Sequence, residues 1–234
     1  MKLPFFYISQ YDGTQKEIVL DEDTSKHVVQ VLRMKSGEQM NLTDGKGHLL
    51  TCAITDDNKK HCAVEVKEKK CKEQPARKVS IAISLLKNTN RFEWFLEKAT
   101  EIGVSEIIPL ICERTEKEKF RYERLQGIVI SAMLQSQQVW LPVLQDPVEF
   151  SKAVLQSTAT QKFIAHCEEG KKQELAHQEL NQSAHQLIYI GPEGDFTKEE
   201  IAIALQNNFI PVALGETRLR TETAGVVAAV ILLR

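Results

Sequence analysis

No apolar run in this chain of 234 residues is long enough to cross a membrane. The longest, Ala224 to Leu233, has ten residues, about half a span. The short apolar patch Leu3 to Ile8 is broken by Pro4. It has neither the long apolar core nor the small-residue cleavage site of a signal peptide, so cytoplasm is the expected compartment. The five cysteines (52, 62, 71, 112 and 167) are odd in number and hold no C-x-x-C pair. That argues against a disulfide framework or zinc knuckle and leaves reduced, structural thiols. The six histidines give no H-E-x-x-H or H-x-x-x-H, and His166-Cys167 is the nearest thing to a metal pair, so no metal is expected. A G-x-S-x-G elbow, a G-x-G-x-x-G fingerprint and a P-loop are all missing. Charge excess is missing too. Thirty Lys and Arg against 32 Asp and Glu leave −2, so nucleic-acid binding would need a local patch. What remains, 42% apolar and 26% charged with only 11 Gly and 7 Pro, is a soluble globular profile with room for one large domain or two modest ones.

The first seventy residues read as short strands: Phe5 to Ile8, Glu17 to Leu20, a hairpin of Glu38 to Thr43 and His48 to Thr55 turning at Asp44 to Gly47, and His61 to Lys67. Among them, Thr24 to Met34 reads as one helix capped by Asp23 or Thr24, with Gly37 after its end. This is a small, strand-rich, barrel-like unit. Lys67 to Lys78 then changes composition, with six Lys or Arg, two Glu and Pro75. It reads as a solvated linker at the domain boundary, or as a basic strip beside a phosphate backbone. After it, strands (79–85, 106–111, 162–166, 186–190, 209–214) alternate with helices (91–102, 122–136, 197–206, 223–233). That rhythm implies a mostly parallel sheet with helices on both faces. Trp94 and Phe95 read as core.

Two loops carry the chemistry. Ile190-Gly191-Pro192-Glu193-Gly194-Asp195-Phe196 follows a strand and leads into the capping box Thr197-x-x-Glu200. A glycine-rich turn at the end of a parallel strand is where such folds place ligands, because backbone can approach closely; the bland reading is a tight turn. Leu214 to Gly225 again joins strand to helix and crowds Glu216, Thr217, Arg218, Arg220, Thr221, Glu222 and Thr223 together. Thr221 or Thr223 offers a cap for the last helix. That helix is apolar on every side, so it is expected to be buried and to hold its polar loop against the protein.

These loops resemble those of the RsmE-like 16S ribosomal RNA uracil-N3 methyltransferases of the SPOUT superfamily: G-P-E-G, then L-G-x-x-R-L-R-T-E-T-A. His27 to Arg33 is similar to the family's H-x-x-x-V-L-R helix, Lys98 to Val104 to its K-A-x-E-L-G-V helix end, and Gln135-Ser136 with Leu141-Pro142 to its Q-S…P stretch. The chain differs from the family pattern at Asp195 (commonly Gly), at Thr217 to Arg220 (often R-I-L-R) and at Gln138 (often Arg). The resemblance implies a PUA-like RNA-binding domain over 1–72 and a trefoil-knotted SPOUT methyltransferase domain over 75–234. It also implies S-adenosylmethionine as methyl donor, no metal, a homodimer built through the C-terminal half, and as partner the small ribosomal subunit, with a uridine in the decoding region of 16S rRNA as acceptor. Carried over residue by residue, the donor site is Ile190, Gly191, Glu193 and Gly194 with Leu214, Gly215, Leu219 and Thr221, acting mainly through backbone. Methyl transfer to nitrogen is an in-line displacement in which the protein binds the donor, aims the acceptor and removes one proton. Glu222 is the first candidate base and Glu193 the second. Arg220 stabilises charge on the uracil carbonyls or grips a phosphate; an ion pair of Glu222 with Arg220 that only braces the loop is the alternative. His27, Arg33, Lys35 and Arg218 are the candidate RNA contacts. Two competing readings remain, an RNA-binding protein without catalysis and a SPOUT enzyme for another RNA.

Overall fold

The structure is a computed structural model and describes residues 3–116, 119–170, 172–181 and 184–234. They form two compact units, residues 1–74 with 133–141 and residues 75–132 with 142–234.

The first unit is built on a five-stranded sheet: β1 (Phe5–Tyr7), β2 (Glu17–Val19), β3 (Gln39–Thr43), β4 (His48–Asp56) and β5 (Ala63–Cys71), in the order β1-β3-β4-β5-β2. β1 runs parallel to β3 and the other pairs are antiparallel. Alternation along β4 sends Leu50, Cys52 and Ile54 inward to Met40, Leu42 and Val64. Burial pushes the Cys52 thiol up to about 12, which makes it an inert core residue. The expected helix over 24–34 starts earlier and is not uniform. Asp21 is the cap and accepts from the Thr24 N–H at 2.9 Å, α1 spans Glu22–Lys26, and His27–Val31 widens into a π-helical turn. There the Leu32 N–H reaches back to the His27 carbonyl at 2.9 Å, and Arg33 follows with φ 57°. The basic strip is not all linker either. Lys69, Lys70 and Cys71 pair with Leu50, Leu49 and His48, because backbone pairing needs no apolar side chains where a strand end is exposed. Residues 133–141 complete this unit, with the Trp140 indole N–H donating to the Lys72 and Glu73 carbonyls, both at 3.2 Å.

The second unit carries an eight-stranded sheet of β6 (Lys78–Ser84), β7 (Glu106–Ile111), β8 (Val143–Leu144), β9 (Val148–Glu149), β10 (Gln161–Ala165), β11 (Gln173–Glu174), β12 (His185–Ile190) and β13 (Ile210–Ala213). The order is β11-β13-β10-β12-β6-β7-β8, with β9 also on β7, and every pair is parallel. Central β6 and β12 are buried along nearly their whole length, as expected of strands covered on both faces. The helices are α2 (Thr89–Ile102), α3 (Tyr122–Gln135, whose residues from Met133 on belong to the first unit), α4 (Phe150–Gln156), α5 (Lys198–Gln206) and α6 (Thr221–Leu233). α2 buries Phe92, Phe95, Leu96 and Ala99 and stops at left-handed Gly103. Its Trp94 is 43% exposed and so not core, since it points away from that face. α5 has the expected capping box, and the second oxygen of Glu200 accepts from the Glu113 N–H at 2.9 Å. α6 departs from expectation twice. Arg220 holds the cap position with no side-chain hydrogen bond, so neither Thr221 nor Thr223 is the cap. Only one face, with Gly225, Ala228, Ala229 and Leu232, is buried, while Val226, Val227, Val230 and Ile231 are half-buried.

Near the N-terminal end of the sheet, the Ser80 hydroxyl donates to Glu106 at 2.6 Å and meets His185 Nε2 at 2.8 Å. Burial, with Lys78 nearby, lowers the His185 pKa against the opposing pull of Glu106. Burial raises the Glu106 pKa, but hydrogen bonds from Ser80 and Gln145 and the charges of Lys78 and His185 outweigh it and hold that pKa low. Both groups have folded values below their unfolded ones, so the unfolded chain binds more protons. Their stabilisation is full above the unfolded histidine value, ~6.5, and is lost as pH falls through the folded values. The melting temperature should therefore drop between pH 7.5 and 5, and His185→Gln should flatten the upper part of that drop. A melting temperature that does not change across this range would rule the network out as a stabilising element.

Candidate functional site

Three neighbouring strands, in the order β13-β10-β12, end on the same side of the sheet. The turns that follow them build one cleft of about 660 Å³. β12 delivers Ile190 to Glu193 and Asp195, β13 delivers Val212 to Arg220, and β10 delivers Ala165, His166 and Cys167. Lys172, Arg91 from α2, and Thr221 and Ala224 from the first turn of α6 complete the wall. A cleft at the C-terminal ends of parallel strands is the usual ligand position in such sheets.

Of the residues assigned to donor binding, Ile190, Gly191, Glu193, Leu214, Gly215, Leu219 and Thr221 line this cleft. Gly194 does not. Its carbonyl accepts from Arg114 Nη1 at 2.7 Å, so it braces the turn from outside the cleft. Gly191 is tightly packed: a Cβ there would lie 3.1 Å from the ring and 3.2 Å from the backbone nitrogen of Phe196, itself 1% exposed, so Phe196 would have to give way by a few tenths of an ångström. Among the catalytic candidates, Glu193 and Arg220 line the cleft with Arg218. Glu222 is not on its wall. It is 7% exposed, one carboxylate oxygen lies 3.7 Å from Arg91 Nε, and the other has no hydrogen-bond partner. Its ion-pair partner is thus Arg91 and not Arg220. The remaining RNA candidates, His27, Arg33 and Lys35, are exposed in the first unit. His27 sits edge-on to Phe6, and Lys35 pairs with Asp57 at 3.3 Å.

Sequence reasoning missed Arg91, His166, Cys167, Lys172 and Asp195 as cleft residues. Asp195 adopts φ 64°, a left-handed conformation that Asp tolerates better than most residues. One of its oxygens accepts from the Phe196 N–H at 2.8 Å and the other from the Cys167 N–H at 2.7 Å. It therefore ties the β10 turn to the β12 turn, and its departure from glycine was the signal that could have found it. His166 Nδ1 is buried without a partner. Burial and the charge of Lys172 lower the pKa of His166 against the pull of Asp195 and Glu168. Apolar walls (Ile190, Val212, Leu214, Leu219) beside cations (Lys172, Arg218, Arg220) and carboxylates (Glu193, Asp195, Glu216) suit a flat apolar group joined to a zwitterion. Among the described residues no cluster of three or more His, Cys, Asp or Glu side chains could hold a metal, and no helix is long and apolar enough to cross a membrane.

Comparison with known proteins covers both units. A family model described as an RNA methyltransferase domain matches residues 72–233, and one described as an RNA methyltransferase PUA domain matches residues 20–67. A crystal structure of a probable rRNA-methyltransferase from Porphyromonas gingivalis is 37% identical, with a TM-score of 0.89 over 97% of this chain and 95% of that one. The ribosomal RNA small subunit methyltransferase E of Neisseria gonorrhoeae, solved bound to S-adenosyl methionine, is 28% identical, with a TM-score of 0.86 over 97% and 95%. The Bacillus subtilis ribosomal RNA small subunit methyltransferase E is 30% identical over 86% of this chain and 84% of its own.

Proposed function

The chain belongs to the RNA methyltransferase family, and from that premise we propose that it transfers a methyl group from S-adenosylmethionine to N3 of a uridine in the decoding region of 16S rRNA. Its first domain is PUA-like and its second has the SPOUT methyltransferase fold. It is an S-adenosylmethionine-dependent rRNA methyltransferase. The observation that carries the reading is the convergence of the 190–195 and 214–221 loops on one cleft, in a chain whose solved relative holds the donor.

The lining fits that donor: apolar faces for an adenine, carboxylates for an ammonium, cations for a carboxylate, and the unpartnered His166 nitrogen on the wall. Bound there, S-adenosylmethionine supplies an electrophilic methyl group on a sulfonium. The protein's own part is orientation and proton removal. Ile190, Gly191, Leu214, Gly215, Leu219 and Thr221 hold the donor mainly through backbone. Glu193, on the cleft wall, accepts the N3 proton. Arg220 and Arg91 face the negative charge that develops on the uracil carbonyls, and Glu222 holds Arg91 from behind. Residues 1–72, with His27, Arg33 and Lys35, bind RNA, and residues 75–234 form the catalytic domain. The half-buried face of α6 carries the homodimer, and the enzyme works in the cytoplasm on the small subunit.

Mass mapping of 16S rRNA after incubation with labelled donor tests this reading. The expected product is N3-methyluridine at one decoding-region position. Glu193→Gln should lower the rate by about 10²-fold or more while donor affinity, measured by calorimetry, stays within a few-fold. Label on another base, or wild-type transfer by Glu193→Gln, would overturn the acceptor or the base assignment respectively.

A further inference from the structure

The segment entering α3 interleaves basic and aromatic side chains: Lys119, Phe120, Arg121, Tyr122 and, beyond Glu123, Arg124. Phe120 is half-buried, Tyr122 is 39% exposed, and their ring centroids are 6.3 Å apart. Phe120 lines a cleft of about 170 Å³ with Leu85, Leu86, Thr89, Asn90 and Glu93. Arg124 is committed to a two-pronged pair with Glu93 at 2.6 and 2.9 Å. Lys119 and Arg121 are exposed, and Arg121 adds its charge to that of Arg124 in holding the Glu93 pKa low. Structure alone would account for an amphipathic helix start; it would not account for two exposed cations flanking a half-buried ring.

This cleft is continuous with the chemistry. Thr89 and Asn90 also line an open groove of about 470 Å³ with Lys87, Asn88, Arg91 and Glu193. Arg91 and Glu193 in turn line the donor cleft. Three adjoining depressions thus run from the donor site to Phe120. The middle one is polar: Asn88 spends its amide oxygen on the Asn90 N–H at 3.0 Å, which leaves its NH₂ donors for a ligand. An aromatic ring suits the face of an unpaired base, amides and a guanidinium suit base edges, and exposed cations suit phosphates.

We propose that this track binds a single-stranded stretch of RNA beside the acceptor, with one base stacked on Phe120 and its phosphates on Lys119 and Arg121. The inference rests on the methyltransferase reading and deepens it, because it gives the C-terminal domain RNA contacts of its own. A duplex does not fit, since its bases are already stacked and only an unpaired base can enter against the ring.

The test uses the full chain and a short fluorescent oligouridylate, followed by anisotropy. Phe120→Leu should weaken binding about tenfold, and Phe120→Trp should keep it, because stacking tolerates any aromatic face. Lys119→Gln with Arg121→Gln should lower the slope of log affinity against log salt by about 1.4, at ~0.7 per single-strand phosphate contact. Donor affinity by calorimetry should not change in any of them. Equal oligonucleotide binding by wild type and Phe120→Leu, or no binding by wild type, overturns the proposal. Methylation of 16S rRNA by the wild-type chain is measured alongside. Its failure would sink the enzymatic reading, whereas the dependence of oligonucleotide binding on Phe120 is read independently of it.

Discussion

Arg91→Ala should lower the methyl-transfer rate by about 10²–10³-fold, the usual cost of removing one donor from a preorganised charge-stabilising site. Arg91, with Glu193, is shared by the donor cleft and the groove beside it. It is also the ion-pair partner of Glu222, a residue 7% exposed that already has one carboxylate oxygen unsatisfied. Truncation removes the cation from the reacting region and leaves the buried carboxylate uncompensated, at about 1–3 kcal/mol of stability. Arg91→Lys separates the two effects. It restores the positive charge, and so most of the stability, but not the planar array of donors that a guanidinium offers. Melting temperature should recover further than rate. A wild-type rate in Arg91→Ala would remove Arg91 from the reaction.

The second large effect is on packing. Gly225 lies on the buried face of α6, where an added Cβ would stand 2.5 Å from Phe95 Cε2 and 3.0 Å from Ile83 Cδ1. Both neighbours are fully buried, so neither ring nor methyl can swing into solvent. Alanine gains about 1 kcal/mol of helix propensity over glycine, and overpacking of this kind costs about 1–3 kcal/mol. With a gap under 3.0 Å to a fully enclosed ring, the cost sits at the upper end. Gly225→Ala should lose ~2 kcal/mol net, a fall of ~4–8 °C in melting temperature. Phe95→Leu in the same chain should return part of it by making room. The rate should also fall, since Thr221 and Ala224 of the same helix line the cleft. A melting temperature at or above wild type would show that the helices separate at no cost.

The sheet of the second unit was legible because its strands are buried on both faces and read as continuous apolar runs. β7 falls on the expected residues, and β6, β10 and β12 shift by about one. The two glycine-rich loops were legible as a pair, since each sits between an apolar strand and a helix. Their joining into one site was expected from the resemblance, but the part that the β10 turn plays in it was not. It depends on β10 lying between β12 and β13, and nothing local in His166-Cys167 announces that neighbour. Arg91 was hidden for the same reason, as a charged residue one turn into a helix looks solvated until a distant carboxylate is placed beside it. α4 went unseen because seven residues hold too few turns for a period to show. The π-helical turn at His27–Val31 has no sequence signature of its own. Glu222 shows the limit most clearly. Its neighbours in sequence suggest a cleft residue, and the first turn of α6 carries it behind Arg91 instead.

The 133–141 segment sets an order of events during synthesis. The strands of the first unit are complete once Cys71 has been made, yet the unit still lacks Trp140, whose indole covers Gly47 and donates to Lys72 and Glu73. That segment arrives ~70 residues later, roughly 4–14 s at ~5–20 residues per second. For that interval the nascent sheet carries an open seat at Gly47, and β6, α2, β7 and most of α3 are made before it is filled. The contacts of the first unit can therefore close only after β6, α2 and β7 of the second unit have been made.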